Sequence, residues 1–291
     1  MFSLCFRTRK LRRCLVTLHE PKIDKVREQM GNTLKHIPLY LSLVKREVAS
    51  KYRGTALGFG WSLLHPLLML AVYTFVFSVV FKARWPLPEG QPQGQFAVIL
   101  FTGLMVHTLM AETLTNAVSS ITGNANYVKK IIFPLPLLPL VPLGAALFHL
   151  CFSVVILLAA IFFITGALHL TLLWLPVILL PFIIALIGAA LFLSALGVYL
   201  RDIGQVIGLI MMAMLFLSPI FFPPEALPES YRPILSLNPL TLIITQARDV
   251  LLWGKMPAFG ALAIYGGVSI LFSLTCYAFF ARVRKGFADV L

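Results

Sequence analysis

The sequence predicts an all-α integral membrane protein of six transmembrane helices, with an amino-terminal amphipathic interface helix and re-entrant helices between spans five and six. Composition gives the class: 59% of the 291 residues are hydrophobic, only 12% are charged, and the mean hydropathy is +0.91. Soluble globular chains carry about 25% charged residues. The uncharged runs give the count. Hydrocarbon about 30 Å thick needs roughly 20 apolar residues per helix, and uncharged runs cover residues 54–81, 131–200, 203–222 and 256–281. The second run is long enough for two passes and is divided at Gly166–Leu170. A further span lies between Phe96 and about Ile121, where Glu112 and His107 are the only ionisable groups. The spans are placed near 62–82, 96–119, 134–165, 173–199, 203–222 and 258–281.

Positive charge orients these spans, because cytosolic flanks accumulate Lys and Arg while translocated loops avoid them. Six spans put both termini on one side. That side holds 19 of the 24 Lys and Arg residues: 13 within residues 1–59, then Lys129, Lys130, Arg201, Arg282, Arg284 and Lys285. The other side holds Lys82, Arg84, Arg232, Arg248 and Lys255. Both termini are therefore expected in the cytosol. The net charge of +13 is then topology and lipid contact, each cation near an anionic surface contributing about 1 kcal/mol. No nucleic acid is required as a partner. Cys5, Cys14, Cys151 and Cys276 show no metal-ligand spacing, so no metal site or disulfide framework is expected. The opening MFSLCFRTRKLRRCLV has too short an apolar run for a cleavable signal peptide.

In chain order, residues 1–37 read as a basic cytosolic extension and 38–291 as the transmembrane domain. The interface helix occupies 38–54, with Pro38 suited to a first helical turn. Leu41, Val44, Val48 and Tyr52 recur three or four apart, while Lys45, Arg46, Lys51 and Arg53 face elsewhere, as a helix lying on a membrane requires. The basic loop Thr122–Phe133 precedes prolines at 134, 136, 139 and 142, which imply an irregular start to the third span. Ser218–Gln246 carries six prolines between apolar pieces too short to span, a pattern suited to re-entrant half-helices.

Catalytic chemistry finds little support. No GxxxxGK[ST] phosphate loop occurs, so the chain does not by itself cradle ATP phosphates in that manner. His19 and Asp24 form an H-x4-D pair of the kind some acyltransferases use, but in a charged tail with nothing catalytic beside it. A glycosyltransferase would cluster carboxylates, whereas Asp24, Asp202, Asp249 and Asp289 are scattered. An ion-coupled carrier needs ionisable groups near midplane, and Glu112 is the one candidate. A carboxyl hydrogen-bonded at a helix-packing face near the cytosolic end of span two is the competing, favoured reading.

Three groups of residues remain as candidate sites. Tyr73, Phe77 and Phe81 repeat every four positions and share one face of the first span, where they suit either a sugar path or ordinary packing. Arg46, Lys51 and Arg53 can meet a lipid-linked pyrophosphate through charge-assisted hydrogen bonds, or bulk lipid headgroups through topology alone. Tyr127, Lys129 and Lys130 offer a cytosolic contact for a partner subunit or a solvated loop.

The strings LVKREVASKYRGTALGFGWSLLHPLLMLAVYTFVFS, NYVKKIIFPLPLLPL, YLRDIGQVIGLIMMAMLFLSPIFFP and LSLNPL, in this order, resemble the permease subunits of polysaccharide ABC exporters. The likeness is to the Wzm-type O-antigen family of type 2 ABC transporters and covers roughly residues 38–291. The resemblance implies a homodimer in the bacterial inner membrane, partnered by two separate ATPase subunits that bind ATP and magnesium, with no cofactor in this chain. It implies a lipid-linked polysaccharide as substrate, O-antigen first, capsular polysaccharide or teichoic acid as alternatives. It also implies an interface helix at about Pro38–Gly54, an ATPase-coupling segment at about Gly123–Phe133 and re-entrant helices at Pro223–Gln246. A membrane acyltransferase or glycosyltransferase is the alternative of another class.

Overall fold

Apolar stretches of this chain fold as helices because a backbone without water must satisfy its own N–H and C=O groups. The computed structural model describes residues 22–76, 95–129, 133–200, 202–223, 228–231, 235 and 237–291, and among them no strand occurs. The chain falls into two units, Met1–Leu43 and Val44–Leu291. In the first, helix α1 (Lys22–Tyr52) begins well before Pro38, which lies inside it rather than at its start. Proline has no N–H to give the preceding turn. The Pro38 carbonyl in turn accepts the Ser42 hydroxyl at 2.8 Å.

The second unit holds the last turns of α1 and every later element. α1 closes at Gly54, whose φ of 82° is the left-handed geometry that ends helices most easily on glycine. After a 3-10 turn at Gly58–Gly60 come α2 (Trp61–Tyr73), α3 (Gln95–Ser119) and the short α4 (Ala125–Lys129). The prolines then act as expected: Leu135–Leu140 is a 3-10 helix, and the regular α5 (Val141–Thr165) begins only after it. Gly166, at φ 74°, caps α5 with its N–H on the Phe162 carbonyl, which divides the long apolar run where the sequence places the division. α6 (Leu175–Tyr199), α7 (Ile203–Leu217), α8 (Pro239–Leu251), α9 (Phe259–Val283) and the short α10 (Phe287–Val290) complete the order.

Among the described residues, five segments are long and apolar enough to cross a membrane: Gly58–Val76, Gln95–Ser119, Leu135–Thr165, Leu170–Tyr199 and Phe259–Gly286. The fifth expected span, 203–222, is present as α7 with only 15 residues. At 1.5 Å per residue that is about 22 Å, short of the hydrocarbon thickness. The described part of the first segment ends at residue 76, so Phe77 and Phe81 lie outside the described residues.

α3 is the central helix, packed by α2, α5, α6, α7 and α8 and buried along most of its length. Close approach depends on small residues. A Cβ on Gly197 of α6 would lie 2.3 Å from the Val118 carbonyl oxygen of α3, and one on Gly188 would lie 2.7 Å from Ser273 Cα of α9. Glycine at such crossings lets helix backbones approach without a side chain between them.

The two ends of α3 are finished differently. At its Ser119 end, Ile121, Leu191, Val198, Phe280 and Phe287 form a second apolar cluster, and the Tyr199 hydroxyl donates to the Val283 carbonyl at 3.1 Å. At its Gln95 end, α8 is held by polar side chains. Asn238 caps it, accepting the Leu240 N–H at 2.9 Å, and the buried Arg248 donates to the carbonyls of Ile99, Pro219 and Ile220 at 3.1, 2.6 and 2.9 Å. Gly103 makes room for that guanidinium, since a Cβ there would lie 3.0 Å from Arg248 Nη2.

Candidate functional site

The last turns of α1 present two faces, as the spacing of their residues predicts. Val48 is buried, Val44 and Tyr52 are half-buried, and Lys45, Arg46, Lys51 and Arg53 are exposed, whereas Leu41 is exposed instead of joining the apolar face. Two of the basic residues are nonetheless engaged. Arg46 Nη1 donates to the Tyr127 hydroxyl at 2.9 Å, and its guanidinium lies 5.9 Å from the centre of the same ring, near the outer limit of a cation–π contact. The Tyr127 ring is backed by Phe133 at 4.8 Å. The loop after α3 is thus tied to α1.

Lys51 reaches inward to Glu112 of α3, forming an ion pair with Oε1. His149 of α5 places Nδ1 at 2.8 Å from Oε1 and 3.0 Å from Oε2 of the same carboxylate. Its other nitrogen, Nε2, is 2.8 Å from the Tyr52 hydroxyl. Because a carboxylate only accepts, Nδ1 carries the proton, and a neutral imidazole then accepts from Tyr52 at Nε2. The Tyr52 ring stands nearly perpendicular to the imidazole, with centroids 5.9 Å apart. Three helices, α1, α3 and α5, meet in this one network. A carboxylate removed from water is destabilised by several kcal/mol unless paired and hydrogen-bonded, and here Glu112 has both.

Burial separates the members of the network. The Glu112 and His149 side chains are 13% and 15% exposed, against 46% for Lys51. Glu112 is seven residues from the end of α3 and His149 eight from the start of α5, so both lie at similar depth, about 10–12 Å along their helices.

Arg53 is exposed and makes no hydrogen bond or ion pair with the described residues. Tyr73, the last residue of α2, packs half-buried against the main core. Lys129 ends α4, and Lys130 lies outside the described residues. Arg46 and Tyr127, assigned from sequence to different groups, are brought into contact. His149 and the Tyr52 hydroxyl were missed as site residues. A lone histidine within an apolar run, at the depth of the lone acid of a neighbouring span, is the signal that points to them.

The profile of the family described as ABC-2 type transporter matches residues 38–252. An O-antigen export system permease protein of Klebsiella pneumoniae is 25% identical over 254 residues, covering 87% of this chain and 95% of that protein. One from Myxococcus xanthus is 26% identical over 255 residues, covering 86% and 94%. A polysialic acid transport protein of Escherichia coli is 25% identical over 246 residues, covering 81% and 91%.

Proposed function

The chain belongs to the ABC-2 type transporter family, and from that membership we propose that it is the permease subunit of a polysaccharide exporter, carrying lipid-linked O-antigen across the bacterial inner membrane. The observation that carries this reading is the near full-length likeness to O-antigen export permeases, which leaves only a short part of either chain unmatched. The likeness to a polysialic acid transport protein favours capsular polysaccharide as the second reading.

The chain's sequence has no phosphate loop of the Walker kind, so the work comes from outside: two separate ATPase subunits, holding ATP and magnesium, act on a homodimer of this chain. Both termini lie in the cytosol. Six spans cross the membrane, α7 being extended by residues to about 222 to form the fifth, with 223–246 re-entrant from the far side. Tyr127, Lys129 and Lys130 form the ATPase contact. Because Arg46 bonds Tyr127, a push on that loop is transmitted to α1, and through Lys51 and Tyr52 to α3 and α5. Arg46, Lys51 and Arg53 face the lipid phosphate region, and Tyr73, Phe77 and Phe81 line the sugar path, where aromatic faces stack on the C–H faces of sugars while hydroxyls stay wet.

Deleting the gene tests the reading in cells. The expected result is loss of surface polysaccharide with lipid-linked polymer accumulating inside, both reversed by the intact gene. Unchanged surface polysaccharide contradicts it, and the chemistry of the accumulated polymer separates O-antigen from capsule.

A further inference from the structure

The network at the end of α1 is unequal in a way that points to motion. Glu112 and His149 are enclosed between α3 and α5, while Lys51 sits half-exposed in the last turn of α1. His149 hydrogen-bonds both oxygens of the Glu112 carboxylate. If Lys51 leaves, the acid therefore keeps a hydrogen-bond donor on both oxygens. Without His149 the departure of Lys51 would leave a mostly buried carboxylate with no donor among the side chains of this network, which is costly. Tyr52, next to Lys51 on α1, bonds the other imidazole nitrogen while α1 is docked.

We propose that Lys51 is the removable bolt of a charge latch whose fixed socket is Glu112 and His149, and that a lipid-borne phosphate group at the cytosolic leaflet is the ligand that withdraws it. The inference rests on the exporter reading for the leaflet and for the nature of the lipid. Closed, the latch holds the end of α1 against α3 and α5. A phosphate competes because it offers Lys51 the same charge-assisted hydrogen bonds as the carboxylate, with more charge and more acceptor oxygens. Arg53, two residues on and without an ion pair among the described residues, supplies a second cation for the same anion. The carboxyl end of α1 bears partial negative charge, which favours cations there and repels phosphate. The ligand is therefore held by these side chains and not by the helix end. The adjacent Arg46 bond to Tyr127 gives the released helix an outlet: freed from α3 and α5, its end moves with the loop after α3.

Amide hydrogen exchange across residues 46–52 of the full chain, in nanodiscs of zwitterionic phosphatidylcholine, tests the latch. Wild type is expected to be protected, Lys51→Met to exchange about tenfold faster, and Lys51→Arg to stay near wild type, since local opening follows the contacts that hold a segment. Polyprenyl diphosphate added to the wild-type discs is expected to raise exchange towards the Lys51→Met rate and to leave that variant unchanged. Anionic phosphatidylglycerol forms a parallel arm. Opening in that arm assigns the ligand as bulk headgroup phosphate, and opening with polyprenyl diphosphate alone assigns the substrate's own carrier. Equal exchange in wild type and Lys51→Met, or a wild type that responds to neither lipid, overturns the proposal. No ATPase and no glycan enter this measurement, so a failure of the exporter reading is seen separately, in the cellular test above.

Discussion

Arg248 shows how much a single side chain can hold together. Its guanidinium reaches three backbone carbonyls drawn from α3 and from the turn after α7. Truncation leaves buried acceptors without donors, and each such loss is typically 1–3 kcal/mol. Arg248→Met is therefore expected to destabilise the fold by on the order of 3 kcal/mol, read as a lowered thermal midpoint in detergent. Gly103→Val should act in the same direction, because its side chain would take the guanidinium's place. From the sequence, Arg248 was one of five cations counted on the far side and nothing more. Its partners are backbone groups 28 to 149 residues away, and no residue type marks such acceptors in advance. Glu112 was legible as the one acid in its span, because an isolated carboxylate in hydrocarbon demands a reason. Its pairing with Lys51 and His149 needed three helices to be brought together first.

Among elements, the helices α3, α6 and α9 lie within two residues of the bounds read from the uncharged runs, because such a run bounded by charge, proline or glycine leaves the chain little choice. The proline-marked start of the third span also appears as expected, as a 3-10 helix before α5. The beginning of α1 was not legible, since proline at position 38 reads equally as a first turn or as a tolerated interior residue. The shortness of α7 was hidden for a related reason: its apolar run continues past Leu217, but the backbone turns extended at Ser218, whose ψ is 153°. Packing between elements rests on glycine, and this too is testable. Gly197→Ala and Gly188→Ala should each lower the thermal midpoint by several degrees, while Gly267→Ala, which meets nothing within 4 Å, should not. The tie between α1 and the loop after α3 has its own measurement. A double-mutant cycle on Arg46→Ala and Tyr127→Phe should give a coupling of about 1 kcal/mol, the usual worth of one such hydrogen bond. A coupling near zero would mean that the loop moves independently of α1.

For the molecule as a whole, the proposed exporter couples a polysaccharide permease to a separate ATPase. In the proposed mechanism, the contacts of Arg46, Lys51 and Tyr52 make α1 the element through which a push on the loop after α3 reaches α3 and α5. Cysteines placed beside Lys129 should therefore cross-link to the partner ATPase, and their failure to do so would remove that contact from the mechanism. Family membership was legible in four ordered strings and is matched over residues 38–252, whereas the identity of the sugar is written in no residue of these spans. A polysaccharide exporter must move glycan at the expense of ATP. The most direct measurement reconstitutes the chain with its cognate ATPase in proteoliposomes loaded with lipid-linked polysaccharide and follows the glycan on each side as ATP is added. ATP-dependent transfer across the bilayer, lost when the ATPase is omitted, is expected of a polysaccharide exporter; transfer that proceeds without the ATPase, or none with it, would rule that function out.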